Sequence, residues 1–196
     1  HTDNIRIVHK GDRGKGLFKK RDYEAVDGFI TNESEAALCL LYADCVPVYL
    51  FDPKNNAIGL VHAGWKGTCK RIAEKAIRMM NENYGSCGQD MVAVIAPSIC
   101  RDCYEVSNDL YDAFAGNFTA DELSLIFTGW HSDSGNNTKY QLDLWLANRL
   151  VLRHAGVPDE NIHTTDICTC ENSELLFSHR ASRGKRGNLA AVMMLR

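Results

Sequence analysis

Residues 43–68, ADCVPVYLFDPKNNAIGLVHAGWKGT, constrain the fold of this chain more than any other stretch. Val46–Phe51 and Ile58–His62 are short runs rich in β-branched and aromatic residues, the composition of strands. Asp52-Pro53-Lys54-Asn55-Asn56 between them reads as a hairpin loop. A hairpin makes the two strands antiparallel. Cys45, where the first strand begins, and His62, where the second ends, then lie at the same end and can face each other. Two glycines around Trp65 and Lys66 follow, then Thr68 at a helix N-terminus. Such a strand–loop–helix junction, with free backbone N–H groups and a nearby cation, suits an anion.

A thiol facing an imidazole admits three readings. The pair can be a nucleophile and its base. With one more ligand it can hold Zn²⁺ or copper and leave a coordination position open. It can also be a buried cysteine beside a core histidine with no chemistry.

Further strands are expected at Ile5–Val8, Gly28–Thr31, Ala36–Tyr42, Met91–Ile95, Ser124–Phe127, Ile162–Thr165, Leu175–Ser178 and Leu189–Leu195. Apolar residues at Ile72, Ala73, Ala76, Ile77 and Met80 predict a helix from Thr68 to about Asn83, stopped by Gly85. Ser107 can cap a short helix through Phe114. A third helix is expected over Tyr140–Ala155, ended by Gly156-Val157-Pro158. Gly129–Lys139 is polar and reads as a mobile loop. Many strands with few helices predict an α/β or α+β-like fold of mixed sheets with a few flanking helices. With no internal repeat or linker, residues 1–196 read as one domain.

The balance of 22 Lys plus Arg against 25 Asp plus Glu gives a net charge of −3. That slightly acidic charge makes no case for nucleic acid or an anionic membrane. No apolar run is long enough to span a bilayer, and no signal peptide opens the chain. The eight cysteines sit in a chain of 196 residues that is 45% hydrophobic, which needs no disulfide staples. They therefore read as free thiols in a reducing cytoplasm. Cys100-Arg-Asp-Cys103 and Cys168-Thr-Cys170 together offer a Cys₄ zinc set, although only the first has the usual spacing.

ADCVPV…HAGWKGT, with Cys45 and His62 seventeen residues apart, resembles the laccase-domain family. Other segments agree in order along the chain. His1-Thr-Asp-Asn-Ile5 is similar to the family's QxHGxxV from its His onward, and Val26-Asp27-Gly28 to its ADA/TDG. Ala96-Pro-Ser-Ile99 with Cys103-Tyr-Glu-Val106 is similar to GPSIGxCCYEV. Asp166-Ile-Cys-Thr169 and Phe177-Ser-His-Arg180 are similar to DxCT…FFSYR. The chain departs at Ala96 and Cys100, where the motif has glycine, and at Asn188, where it has Arg. The family's segment before QxHG is expected to be missing.

The resemblance implies a purine nucleoside phosphorylase that cleaves adenosine, inosine or methylthioadenosine with phosphate, needs Zn²⁺ and also deaminates adenosine. Its implied ligands are His1, Cys45 and His62. His9 lacks the apolar residue four positions on and reads as an exposed turn histidine. Lys66 and Arg180 are cations in motif loops, expected to bind the anion. Asp44 is expected to orient a ligand or act on a proton. The expected partners are a small nucleoside and phosphate, in a monomer or small homo-oligomer. The competing readings are a copper-dependent polyphenol oxidase, a metal-independent Cys/His hydrolase or peptidoglycan-precursor editing enzyme, and a non-enzymatic binding domain.

Overall fold

A computed structural model describes residues 1–132 and 138–196. Its strands are β1 (Ile5–Ile7), β2 (Gly28–Thr31), β3 (Leu38–Tyr42), β4 (Val46–Asp52), β5 (Ala57–Ala63), β6 (Val92–Ile95), β7 (Glu105–Ser107), β8 (Phe127–Ser132), β9 (Thr138–Leu142), β10 (Ile162–Thr164) and β11 (Leu189–Met193). Its helices are α1 (Trp65–Cys69), α2 (Ile72–Tyr84), α3 (Asn108–Ala115), α4 (Ala120–Ile126) and α5 (Leu144–His154). The fold is mixed α/β, as expected from the sequence.

The expected hairpin forms the centre of the molecule. β4 and β5 pair antiparallel, Pro47 opposite His62. Asp52 shapes the turn, accepting from the backbone N–H of Lys54 at 2.9 Å and the side-chain amide of Asn55 at 2.7 Å. Around this hairpin grows a six-stranded sheet, β1-β2-β5-β4-β6-β10. β1 pairs parallel with β2, and β10 parallel with β6.

Alternation along the central strands supplies two cores. Ile30, Val48, Leu50 and Val61 pack against Ile72, Ala76 and Met80 of α2 and Val151 of α5. Phe29, Ile58 and Leu60 point the other way, onto Leu38, Leu40 and Ala191 of the β3–β11 pair. A smaller sheet, β7-β9-β8, lies beside the helices.

Several expected elements differ, each for a local reason. The helix expected over Thr68–Asn83 is two helices, because Arg71 takes a left-handed φ of 58° between α1 and α2. The helix expected from Tyr140 starts at Leu144. Tyr140–Leu142 belong to β9, and the Asp143 carboxylate caps α5 by accepting from Leu146 N–H at 2.8 Å. Ser124–Ile126, expected as strand, end α4; only Phe127 starts β8. A reciprocal cap between Thr119 and Glu122, at 2.8 and 3.3 Å, nucleates that helix. Leu175–Ser178 run from a turn into irregular backbone, not a strand, and Leu175 is 86% exposed. Of the loop expected at Gly129–Lys139, Gly129–Ser132 and Thr138–Lys139 are strand, while 133–137 lie outside the described residues.

Candidate metal centre

The antiparallel register carries Cys45 and His62 to one end of the β4–β5 hairpin, as their spacing predicts. β1 lies two strands away, and its approach brings His1 to the same place. Ligand atoms of His1, Cys45 and His62 lie within 4.8 Å of one another. Donors about 2.0–2.3 Å from a shared zinc ion lie roughly 3.3–3.8 Å apart, so small side-chain adjustments suffice. The rings of His1 and His62 meet edge to face, with centroids 4.6 Å apart. His9 lies exposed in a turn, away from this set.

Two glycines allow the approach. A Cβ on Gly64 would sit 2.7 Å from Cys45 Sγ, and one on Gly67 would sit 2.9 Å from the His62 carbonyl oxygen. The helix after His62 starts at Trp65, three residues earlier than expected, and has only five residues. Thr68 lies inside it, fully buried. Its hydroxyl donates to Ala63 O at 2.9 Å and accepts from the Asn148 amide at 3.0 Å, pinning the junction to α5.

His62 Nε2 is buried and has no hydrogen-bond partner. An orphaned ring nitrogen beside a thiol and a second imidazole is what an absent cation would satisfy. The other ring nitrogen, Nδ1, lies 3.4 Å from Asp27 Oδ1. His1 Nδ1 lies 3.8 Å from the same oxygen. A carboxylate behind two imidazoles orients them for a metal. Sequence reasoning assigned Asp27 no role here. The signal was its place before β2, whose register against β5 lets Asp27 O accept the His62 N–H at 2.7 Å.

Burial pushes the Cys45 thiol up to about 11, with the charge of Asp44 adding to it and Arg186 opposing it. Burial lowers the His62 pKa, against the pull of Asp27. The imidazole is thus a neutral donor near pH 7, while the thiol keeps its proton until a cation displaces it. Two imidazoles and a thiolate suit Zn²⁺ and copper alike.

Asp44 has a left-handed φ of 73° and is buried. One carboxylate oxygen accepts from Thr169 Oγ at 2.7 Å and the other from the Arg180 backbone N–H at 2.7 Å. Its carbonyl accepts from Ile99 N–H at 2.9 Å. Asp44 thereby ties three loops together beside Cys45. The Arg180 guanidinium donates to Glu105 O at 2.9 Å and lies 5.2 Å from the Tyr104 ring centroid. Tyr104 feels Cys45 electrostatically; burial first, and that thiol second, push its hydroxyl up to about 12. Lys66 is exposed beside the Trp65 ring, at 5.3 Å.

The family model described as multi-copper polyphenol oxidoreductase laccase matches residues 1–196. "Purine nucleoside phosphorylase YlmD" of Bacillus subtilis is 36% identical over 197 residues, covering 98% of this chain and 67% of its own length. A purine nucleoside phosphorylase of Bacteroides thetaiotaomicron is 36% identical, over 87% of this chain and 61% of its own. The chain thus spans about two thirds of the curated relatives it matches. The crystal structure of Bacillus licheniformis hypothetical protein YfiH superposes with a TM-score of 0.90 at 36% identity, over 100% of this chain and 72% of its own. That of YlmD from Geobacillus stearothermophilus gives 0.87 at 34% identity, over 100% and 70%. Carried along its whole length by one family model and by the path of two solved relatives, the chain belongs to the multi-copper polyphenol oxidoreductase laccase family.

Proposed function

We propose that the protein is a zinc-dependent purine nucleoside phosphorylase whose metal is held by His1, Cys45 and His62. The single observation that carries this reading is the orphaned His62 Nε2 beside the Cys45 thiol and the His1 imidazole. The relatives named purine nucleoside phosphorylase supply the reaction class. In it a phosphate oxygen bonds to the sugar's C1′ as the bond from C1′ to the purine breaks, and the base leaves with a proton.

A zinc ion at these three donors supplies a Lewis acid with one position open. The Asp27 carboxylate, 3.4 Å from His62 Nδ1 and 3.8 Å from His1 Nδ1, attracts that side of each ring and would turn the other nitrogens toward the centre. Lys66 and Arg180 draw the phosphate anion. Glu105 O and Tyr104 restrain the Arg180 guanidinium, so little side-chain freedom remains to be lost when an anion binds. Asp44, with both carboxylate oxygens engaged, acts as a positioning residue for Arg180 and the 169 loop. Adenosine deamination, in which water replaces the amino group and ammonia leaves, is proposed for the same centre. A raised Cys45 pKa argues against a metal-free thiolate nucleophile, since the protonated thiol is the poor one.

The test is to assay the metal-analysed protein with adenosine and inosine, with and without phosphate, separating products by chromatography. Phosphate-dependent release of free base, lost on chelation and restored by Zn²⁺, is expected. Release indifferent to phosphate, or activity persisting in metal-free protein, overturns the reading. Activity restored by copper alone with oxidation of a phenol favours the oxidase reading.

A further inference from the structure

A second set of donors lies apart from His1, Cys45 and His62. Ligand atoms of Cys100, Cys103, Cys168 and Glu171 also lie within 4.8 Å of one another. Two segments contribute, joined by backbone. Ser98 and Cys168 form a parallel bridge, with Ser98 N–H donating to Ile167 O at 3.1 Å and Thr169 N–H to Ser98 O at 3.0 Å. This frame aims the Cys100 N–H at Cys168 Sγ, 3.3 Å away, and leaves Cys100 Sγ 3.6 Å from Glu171 Oε1. Cys168 is 2% exposed, and the eight cysteines, all among the described residues, are free thiols.

We propose that Cys100, Cys103, Cys168 and Glu171 bind a second zinc ion, in a closed tetrahedral site that is structural. Three sulfur donors select zinc over the hard cations Mg²⁺ and Ca²⁺. Binding releases the three thiol protons to solvent, including the one that Cys100 Sγ directs at Glu171 Oε1. Four protein ligands leave no open position, so the centre does no chemistry of its own. Cys100 and Cys103 stand in the first segment with two residues between them, and Cys168 and Glu171 repeat that spacing in the second. Cys170, which the sequence offered as the fourth ligand, is not among the four whose ligand atoms converge.

The ion would staple together two of the three loops that hold Asp44. Ile99, whose N–H meets the Asp44 carbonyl, precedes Cys100, and Thr169, whose hydroxyl meets the Asp44 carboxylate, follows Cys168. The proposal thus assigns the second ion to bracing the loop beside Cys45.

The test uses the full chain, purified under reducing conditions, with Zn²⁺ and Co²⁺ as probes. About two zinc ions per chain are expected, falling to one in Cys100→Ala/Cys168→Ala and to one in Cys45→Ala. In the Cys45→Ala background, bound Co²⁺ should retain an intense thiolate charge-transfer band, which must come from the second site. Should the double variant fail to fold, that spectrum decides. Absence of the band, or a disulfide among these cysteines in protein alkylated at lysis, overturns the proposal. Glu171→Ala should weaken this zinc at least about tenfold while Cys170→Ala leaves it unchanged. The reverse pattern refutes Glu171 as the fourth ligand.

Discussion

Replacing Gly64 by alanine places a methyl group 2.7 Å from Cys45 Sγ and 3.9 Å from His62 Nε2. Ordinary carbon–sulfur contact is about 3.7 Å, so the thiol must retreat by roughly 1 Å. Gly64 has φ −63° and ψ 175°, which alanine adopts freely, so the backbone offers no reason to move instead. Metal ligands tolerate about 0.2 Å of error, and a thiol displaced five times as far no longer completes the set. Zinc affinity at the His1, Cys45 and His62 centre should therefore fall about 100-fold or more, while overpacking costs the fold about 1–3 kcal/mol. The assay pairs a chromophoric chelator competition with thermal unfolding of the metal-free protein. A folded Gly64→Ala protein with wild-type zinc affinity refutes the packing argument and removes Cys45 from the ligand set.

Four more outcomes are expected. Cys45→Ala should abolish phosphate-dependent release of hypoxanthine from inosine, whereas Cys39→Ala, a half-buried thiol in β3, should cost only about 1 kcal/mol of stability by chemical denaturation. Asp27→Asn should weaken zinc about 10–100-fold in the same chelator competition, because both imidazoles lose their oriented partner. Zinc affinity should rise about tenfold per pH unit between about pH 7 and 9. His62, lowered by burial, is already neutral there, and Cys45, raised to about 11, gives up one proton on binding; a flat profile removes the thiol as a ligand. Asp143→Ala should cost about 1 kcal/mol by deleting the α5 cap, read as a lower midpoint of thermal unfolding.

Local pattern made much of the architecture legible. Asp52-Pro53 with two asparagines announced the hairpin, and that register put Cys45 near His62. The period of Ile72, Ala76 and Met80 announced α2. What escaped was either a backbone choice or a meeting of distant segments. Nothing in Arg71 forecasts its left-handed φ. The Thr119–Glu122 cap was readable but lost to the strand expected at Ser124–Phe127. Asp27 gains its place behind two imidazoles only through the pairing of β2 with β5. Likewise, Cys100 meets Cys168 through a bridge between Ser98 and Cys168 that no spacing rule encodes. For Cys170 the CxC pattern pointed to a ligand, yet geometry favours its neighbour Glu171.

The central position of β5 carries a consequence for the timing of motion. Its residues feed both cores alternately, so its amides can exchange with solvent only when both layers let go together. Arg180, by contrast, is held to the rest of the molecule by single hydrogen bonds to Asp44 and Glu105 in a turn-rich stretch. Hydrogen-exchange rates should therefore split the site in two. The amide of His62 would follow the slow clock of global unfolding, and that of Arg180 the fast clock of local opening. On this timing the backbone of His62 stays fixed while the turn that carries Arg180 opens and closes beside it.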